Sequence, residues 1–276
     1  MKKVYSMLFA AAISGAVFTS CSETEEFRNP NMPSNADLQL IENAGFSTNS
    51  AWLNDDGVSF LIEGDIYMTR EDLRNAKMNV VSEQYSTNNL VATGGSRNIT
   101  IYAPVGGRNG YSAGMIAGLD EAISRYNAEN LEITFSRVSS SSAADITMTR
   151  LKKGDVRRGI WGSAGFPTAS GDPYNNIMMS GILESSYGLG TNGIATIIGH
   201  EMGHCIGMRH TDFFDRSISC GGGASNEGDG GVGANHIPGT STGADLSGAG
   251  SWMLACTDGG NRPFTNGDKT ALDYLY

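Results

Sequence analysis

Positive charge is scarce in this chain. Only 19 Lys and Arg residues stand against 29 Asp and Glu residues, the formal net charge is −10, and no run of basic residues occurs anywhere. Proteins that bind nucleic acid use Lys and Arg to neutralise phosphates, so the composition argues against nucleic acid as a partner. With 39% hydrophobic and 17% charged residues, the chain has the composition of a globular protein.

Long apolar runs are also lacking. Residues 4–18 are mostly small or apolar and follow Lys2 and Lys3, but about 15 such residues are too few for a permanent membrane span. We therefore predict a signal peptide over residues 1–21. Its end, Phe18-Thr19-Ser20-Cys21, resembles a bacterial lipobox, and the acidic residues 22–26 resemble the tag of surface-exported lipoproteins.

The lipobox implies that Cys21 is acylated and becomes the mature N-terminus. Each buried acyl methylene contributes about 0.8 kcal/mol, so several chains anchor a protein stably. We expect the protein to lie outside the cytoplasm, lipid-anchored in the bacterial outer membrane, at the cell surface. An ordinary secretory signal with a chance cysteine is the alternative.

Cysteine is rare, with four residues in the chain. Apart from Cys21 they are Cys205, Cys220 and Cys256. Disulfides persist in exported proteins, so one bridge with one thiol left over is expected. We favour Cys220 with Cys256, because Cys205 falls on a predicted helix, but the sequence leaves the other pairings open.

The chain divides at Gly94-Gly95-Ser96. Residues 22–95 are a polar tether followed by an N-terminal segment, in which residues 58–66 predict a short strand and residues 69–75 a helical turn capped by Thr69. Residues 96–276 form the predicted catalytic domain.

The catalytic domain shows alternating and helical patterns in turn. Ser112 can cap a helix, a second long helix begins near Asn192, and residues 266–276 predict a short final helix. Residues 221–250 are glycine-rich loop. Alternating apolar residues predict strands at 99–103, 131–135, 146–148, 159–166 and 176–181. Strand, helix, several strands and helix in this order indicate an α/β-type sandwich of one sheet with helices packed on it.

Residues 200–210 read His-Glu-Met-Gly-His-Cys-Ile-Gly-Met-Arg-His. Residues four apart on a helix are rotated by about 40°, so His200 and His204 project from one face and can bind one Zn²⁺. Glu201 can reach a water at the metal without being a ligand. Gly207 can end the helix in a left-handed turn that returns His210 to the metal. Three neutral imidazoles leave a position open, as in catalytic sites.

This stretch resembles the metzincin clan of zinc peptidases, which pairs the motif with a downstream methionine turn. Ser251-Trp252-Met253 is similar to that turn, and Met253 would lie beneath the metal. Residues 200–212 most closely resemble the protease B-like, dual-action HEIGH metallopeptidases. The resemblance extends over about residues 97–276 and implies a metzincin-like zincin fold with a single catalytic zinc ion. We therefore expect an α+β fold, with a twisted mixed sheet packed on the active-site helix and a loop-rich C-terminal part that ends in a short helix.

Some metzincins place a tyrosine ligand two residues after the turn methionine, but Ala255 stands there, so only three histidine ligands are expected. Asp212 pairs with Arg209 or caps local backbone. His236, in the glycine-rich loop, is either a loop residue or a cleft residue that steadies the developing oxyanion.

A blocking device is also implied. No cysteine lies between Cys21 and Cys205 to cover the metal, but Phe60-Leu61-Ile62-Glu63-Gly64-Asp65 resembles the astacin pattern, in which an aspartate ligates zinc. On this interpretation Asp65 is a zymogen switch and activation requires cleavage near residues 85–96. Alternatively, Asp65 merely ends a strand at a turn.

The sequence therefore predicts a monomeric zinc endopeptidase that cleaves extended proteins or peptides. Zinc would activate water, and Glu201 would be the general base. The substrate would pair with the edge strand near residues 159–165. Two alternatives stay open: a surface binding module with a structural zinc and a fourth protein ligand, and a hydrolase of a non-peptide bond.

Overall fold

A computed structural model of the protein describes residues 31–44, 46, 48, 51–75, 84–240 and 243–276. The predicted signal peptide and Cys21 lie outside the described residues, so the lipid anchor stays a prediction. Among the described residues, every helix is too short or too polar to span a bilayer.

The N-terminal residues build a small lobe with its own apolar core. Two helices, α1 (Asn35–Asn43) and α2 (Arg70–Asn75), pack with an antiparallel sheet of β1 (Trp52–Leu53), β2 (Ser59–Ile62) and β3 (Ile66–Thr69). Ser34 and Asp37 form a capping box at the start of α1, and each satisfies a backbone N–H of the first turn. The fully buried members of the core include Ile41, Phe60, Ile62 and Ile66.

The prediction of one strand over residues 58–66 was wrong. The chain folds there into a hairpin, because Glu63 and Gly64 adopt left-handed backbone angles, φ 57° and 99°, between β2 and β3. A non-glycine residue in this region costs about 1–3 kcal/mol and persists where the surroundings hold it. The turn delivers Asp65 to the buried interior, where it is 9% exposed.

A five-stranded sheet forms the centre of the catalytic half. Its strand order is β6-β5-β7-β9-β8. The first four strands are parallel and β8 runs antiparallel to β9, so the expected mixed sheet is confirmed. The strands are β5 (Arg97–Tyr102), β6 (Ile133–Val138), β7 (Ile146–Arg150), β8 (Gly162–Ser163) and β9 (Asn176–Met179), and a short β4 (Tyr85–Ser86) precedes them.

Two long helices cover the sheet and pack against each other. Ser112 caps the first of them, α3 (Ala113–Asn127), as predicted. The second, α6 (Thr191–Cys205), is buried from Gly193 to its end. Their apolar residues join those of the sheet in the main core, and α8 (Asn266–Leu275) adds Ala271 and Leu272. This is the α+β arrangement expected from the sequence.

Short elements complete the chain. They are α4 (Lys153–Arg157), α5 (Leu183–Tyr187), α7 (Ser217–Cys220) and β10 (Asn235–His236), together with a 3-10 turn at Ser141–Ala143. β10 pairs with β4. The favoured disulfide between Cys220 and Cys256 is confirmed, and Cys205 is a buried free thiol.

The segment before β5 packs against the catalytic half and forms hydrogen bonds with it. The Gln84 side chain donates a buried hydrogen bond to Asp268 at the start of α8, and Tyr85 is fully buried. The Thr87 N–H donates to the carbonyl of Gly207, beside the metal motif. The boundary at residue 96 and a cut near residues 85–96 stay predictions, and these contacts join residues 84–87 to the catalytic half.

Candidate active site

Helix α6 carries the first two histidines and the glutamate of the motif. His200 and His204 lie one turn apart on the same face, with ring centroids 4.6 Å apart. His200 is 8% exposed and His204 is fully buried, and Glu201 beside them is 2% exposed. Burial of side chains this polar costs free energy wherever hydrogen bonds do not satisfy them.

The chain reverses at Gly207 and brings back the third histidine. Gly207 has φ 101°, which glycine adopts freely, and a Cβ there would come within 2.9 Å of Leu90 and Thr87. The Met208 N–H then donates to the carbonyl of Gly203, which closes the turn. The ring of His210 stacks at 5.1 Å from that of His200.

Each histidine uses its Nδ1 as a donor to a buried acceptor. His200 donates to the carbonyl of Trp252 at 2.8 Å, His204 to that of Met208 at 2.9 Å, and His210 to Oε1 of Glu227 at 2.7 Å. Carbonyl and carboxylate oxygens accept only, so the proton of each neutral ring lies on Nδ1. All three Nε2 lone pairs are therefore left to bind a metal.

The three Nε2 atoms converge on one point. That of His210 lies 3.2 Å from those of His200 and His204. Zinc–nitrogen bonds of about 2.0–2.1 Å in a tetrahedron place two nitrogens about 3.4 Å apart, so the donor set fits a zinc ion. Together with Asp65, the three histidines form a group whose ligand atoms all lie within 4.8 Å of one another and could hold a metal ion.

Asp65, from the N-terminal lobe, lies at the fourth corner of the cluster. Its Oδ2 is 2.9 Å from Nε2 of His210, 3.3 Å from that of His200 and 4.0 Å from that of His204. Burial opposes the ionisation of Asp65, but its contacts with the three imidazole rings hold its pKa well below its usual range. A carboxylate in this place can complete a tetrahedral zinc site.

The residues around Asp65 also occupy the edge of the central sheet. The Ala164 N–H donates to the carbonyl of Asp65 at 3.0 Å, and the Tyr67 N–H donates to the carbonyl of Ala164 at 2.9 Å. Ile66 forms a parallel bridge with Ala164. Residues 65–67 of the protein's own N-terminal segment therefore pair with Ala164, directly after β8, in the stretch where the sequence predicts substrate binding.

Glu201 lies directly against the backbone of β8. A Cβ on Gly162 would overlap Oε1 and Cδ of Glu201, so the absence of a side chain at residue 162 makes room for the carboxylate. Burial and the neighbouring charge of Asp65 raise the pKa of Glu201 well above its usual value. Oε2 of Glu201 is buried and has no hydrogen-bond partner among the described residues.

Glu227 is a site residue that the sequence interpretation missed. It is fully buried, orients His210, and lies 3.2 Å from Nε of Arg216 and 3.5 Å from Arg209. Burial opposes its ionisation, but the hydrogen bond from His210 and the positive charges of Arg216 and Arg209 lower its pKa to about 2. Glu227 follows the motif by 17 residues in a loop, where no periodicity marks it.

The segment that follows α6 forms hydrogen bonds with the chain next to the turn at Ser251-Trp252-Met253. Asp212 accepts hydrogen bonds from the Ala255 N–H at 2.8 Å and the Ser219 hydroxyl at 2.6 Å, so it caps backbone rather than pairing with Arg209. Met253 is fully buried, and its Sδ lies 2.5 Å from the position of a Cβ on Gly203 of α6. Gly203 thus permits the turn to approach the metal helix closely.

A cavity of about 440 Å³ opens beside the cluster. Its wall includes the aromatic pair Trp161 and Tyr187, with ring centroids 5.0 Å apart, together with Ile197 and Leu254. Glu201, His200 and Arg216 face the same space. His236 is not brought to this cavity: it lies exposed on β10, with its Nε2 3.5 Å from the Thr240 hydroxyl.

Comparison with known proteins identifies the family. A model of the dual-action HEIGH metallo-peptidase family matches residues 60–276. Comparison with curated proteins gives no match. One myroilysin structure is 18% identical, with 41% of this chain and 49% of that chain covered and a TM-score of 0.30, so the chain spans about half its length. A second is 13% identical, with 69% and 96% covered and a TM-score of 0.35. The family match covers well over half of the chain, including the whole histidine cluster, and the protein belongs to the dual-action HEIGH metallopeptidases, which hydrolyse peptide bonds.

Proposed function

We propose that this protein is a zinc endopeptidase in which His200, His204 and His210 hold one metal ion and Glu201 moves the proton. The observation that carries the proposal is the convergence of three Nε2 atoms whose rings are each fixed through Nδ1. Preformed rings of this kind bind zinc without reorganisation.

A zinc ion held there supplies Lewis-acid polarisation of the scissile carbonyl and lowers the pKa of water. Glu201 takes a proton from the attacking water and later delivers it to the leaving amine. Two observations support this role. Oε2 of Glu201 has no hydrogen-bond partner among the described residues, and the lack of a side chain at Gly162 leaves space for the carboxylate. Glu227 keeps the third imidazole oriented during the reaction through its hydrogen bond to Nδ1.

Extended polypeptides are the proposed substrates. At the edge of the sheet, Ala164 forms two backbone hydrogen bonds with residues 65–67. A substrate strand would take the place of these residues and form equivalent bonds. Compact metabolites offer no such backbone, so this mode of binding favours proteins and peptides.

The protein is also proposed to be latent as synthesised. Asp65 occupies the fourth corner of the cluster, and its neighbours fill the substrate edge, so the N-terminal lobe blocks the site twice. Processing would remove both obstructions. Because residues 84–92 are packed into the catalytic half, the activating cut is expected before Gln84.

The fourth oxygen also favours a second candidate function. Structural zinc sites are closed by four protein ligands, and Asp65 provides such a closure. On that alternative the zinc would be structural in a surface binding module, and removal of Asp65 would weaken the metal site without creating activity.

The test of Glu201 uses Glu201→Gln in the processed protein. The amide cannot accept a proton, so turnover of a peptide library should fall by about 100- to 10,000-fold while one zinc per chain is retained. Glu121→Gln, a surface change on α3, is the matched control and should behave as wild type. Near-normal turnover of Glu201→Gln with one zinc bound would disprove the role of Glu201.

The test of latency compares unprocessed full-length proteins. Asp65→Ala should raise peptidase activity above that of the wild type, whereas Asp55→Ala, an exposed aspartate of the same lobe, should not. Processed wild type should be the most active, since both obstructions are gone. If Asp65→Ala stays inactive and binds zinc more weakly, and processing adds nothing, the structural alternative is correct.

The location of the protein is the third part of the proposal. The Cys220–Cys256 disulfide indicates an extracytoplasmic protein, because such bonds persist in oxidising compartments. We propose that it is a monomer anchored to the outer membrane through acylated Cys21. Cys21→Ser should abolish labelling by a fatty-acid analogue and release the protein from membranes; continued labelling would disprove the lipobox.

A further inference from the structure

Arg216 points from the loop after the metal motif into the active-site cavity. Its side chain is 15% exposed, and its Nε lies 3.2 Å from Oε1 of Glu227, which fixes one edge of the guanidinium. The other edge faces the N-terminal segment, and NH1 donates to the carbonyl of Glu63. NH2 lies 3.9 Å from Sγ of Cys220.

The loop that carries Arg216 is rigidly held. The Arg216 N–H donates to the carbonyl of Ser225 at 2.8 Å, and Asp215 accepts from two N–H groups of the same loop. The disulfide from Cys220 ties the loop to Cys256, which follows the methionine turn and lines the cavity. A guanidinium mounted in this way is pre-organised to bind a ligand in a defined orientation.

The bound N-terminal segment shows which position Arg216 faces. Asp65 lies at the metal cluster, and Gly64 is the next residue along the blocked cleft. A Cβ built on Gly64 would lie 3.8 Å from NH2 of Arg216. Gly64 adopts φ 99°, which residues with side chains rarely do, so this distance measures how close the guanidinium comes to a backbone next to the metal cluster. The carboxylate of an aspartate or glutamate on a substrate backbone in this place is long enough to span such a gap.

Charge balance in the cleft changes when the N-terminal segment leaves. The carboxylates that act on the Arg216 guanidinium belong to Glu227, Asp65, Glu63 and Asp212. Two of these four, Asp65 and Glu63, lie on the segment that blocks the cleft. Glu227 and Asp212 stay behind, but Glu227 is shared with Arg209 and His210. The open cleft thus lacks two negative charges that the closed cleft contains.

We propose that Arg216 is a specificity-determining residue that binds an acidic side chain of the substrate next to the scissile bond. The carboxylate takes the place vacated by the Glu63 carbonyl and accepts hydrogen bonds from NH1 and NH2 in the two-pronged geometry that guanidinium favours. The adjoining apolar wall of Trp161 and Leu254 packs the rest of that side chain. This inference rests on the proposed peptidase function and adds a substrate class to it.

The test uses paired peptides in the zinc-loaded protein, activated from the full-length chain by limited proteolysis. Each pair differs only in Asp against Asn, or Glu against Gln, at one position within two residues of the cleaved bond. At the position adjacent to the bond the acidic peptide should have a kcat/KM about 10- to 100-fold higher, the range expected for charge-assisted hydrogen bonds.

Variants of Arg216 distinguish specificity from a structural role. Arg216→Gln should bring the acid-to-amide ratio to about one, and Arg216→Lys should keep a reduced preference because it retains the charge without the fork. A loss of fold or of zinc would lower kcat/KM equally for both peptides of a pair. The acid-to-amide ratio of kcat/KM therefore reports the contact between Arg216 and the acidic side chain. Arg137→Gln, a surface arginine paired with Asp120, is the matched control and should keep the wild-type ratio.

Binding provides a readout that needs no turnover. In the Glu201→Gln protein the acidic peptide of each pair should bind about tenfold more tightly than its amide partner, and Arg216→Gln should abolish the difference. Equal cleavage and equal binding of both peptides by the wild type would overturn the role of Arg216 and leave the peptidase function standing. If the activated, zinc-loaded wild type cleaves no peptide at all, the proposed function fails and the specificity fails with it.

Discussion

Nδ1 of His210 lies 2.7 Å from Oε1 of Glu227, and both side chains are fully buried. The carboxylate fixes the ring so that Nε2 meets those of the two helix histidines. It also joins the metal cluster to Arg209 and Arg216, which lie on either side of it. One buried carboxylate therefore links metal binding to the walls of the cleft.

Glu227→Gln should weaken zinc binding about 10- to 100-fold, because the amide holds the imidazole less well than the carboxylate does. The reduced affinity is measured by competition with a chelator of known zinc affinity. Thermal stability should also fall, since the buried guanidinium of Arg209 and the partly buried one of Arg216 lose their common anion. Unchanged zinc affinity in a folded Glu227→Gln protein would show that the carboxylate does not position His210, and Glu121→Gln serves again as the control.

The metal motif was predictable because its geometry is local. A spacing of four residues fixes His200 and His204 on one helix face, and Gly207 marks the reversal that brings back His210. Glu227 was not predictable, because a loop residue 17 positions away comes close only through the fold. The hairpin at Glu63 was missed although Gly64 and Asp65 are turn residues, because a glutamate rarely adopts the left-handed conformation that Glu63 has here. Helix α1 was missed although its capping pair, Ser34 and Asp37, is present in the sequence.

Gly162→Ala should reduce turnover while zinc stays bound. The added methyl group would overlap Oε1 of Glu201, so the carboxylate must move, and a displacement of about 1 Å can cost about 100-fold in rate. The measurement is kcat together with zinc content. Gly223→Ala, in a loop where a Cβ meets nothing within 4 Å, is the matched control. A Gly162→Ala protein with wild-type kcat would show that Glu201 does not act from the observed position.

Asp37 should make the stability of the N-terminal lobe depend on pH. Hydrogen bonds from Arg70, at 2.7 and 2.9 Å, lower the pKa of Asp37 from 3.8 to about 2. Because the folded-state pKa is depressed, the stabilisation is fully present above about pH 4 and is lost as pH falls through 2. The protection factors of the α1 amides against hydrogen exchange should therefore fall over that range in the wild type.

In Asp37→Asn the protection factors of the α1 amides should already be lower than those of the wild type at pH 5. They should also change less than those of the wild type on acidification. The difference between the two proteins at pH 5 is expected to be on the order of 1 kcal/mol, since the Arg70 side chain is partly exposed. Identical pH profiles for the two proteins would show that the Asp37–Arg70 pair does not hold the lobe together.

Zinc titration of the activated, metal-stripped protein tests the central claim most directly. Peptidase activity should be absent without metal, rise linearly with added zinc and level off at one equivalent per chain, and His210→Ala should show no such rise. Full activity in the presence of excess chelator, or one tightly bound zinc without any peptide cleavage, would contradict the assignment of this cluster as a catalytic zinc site.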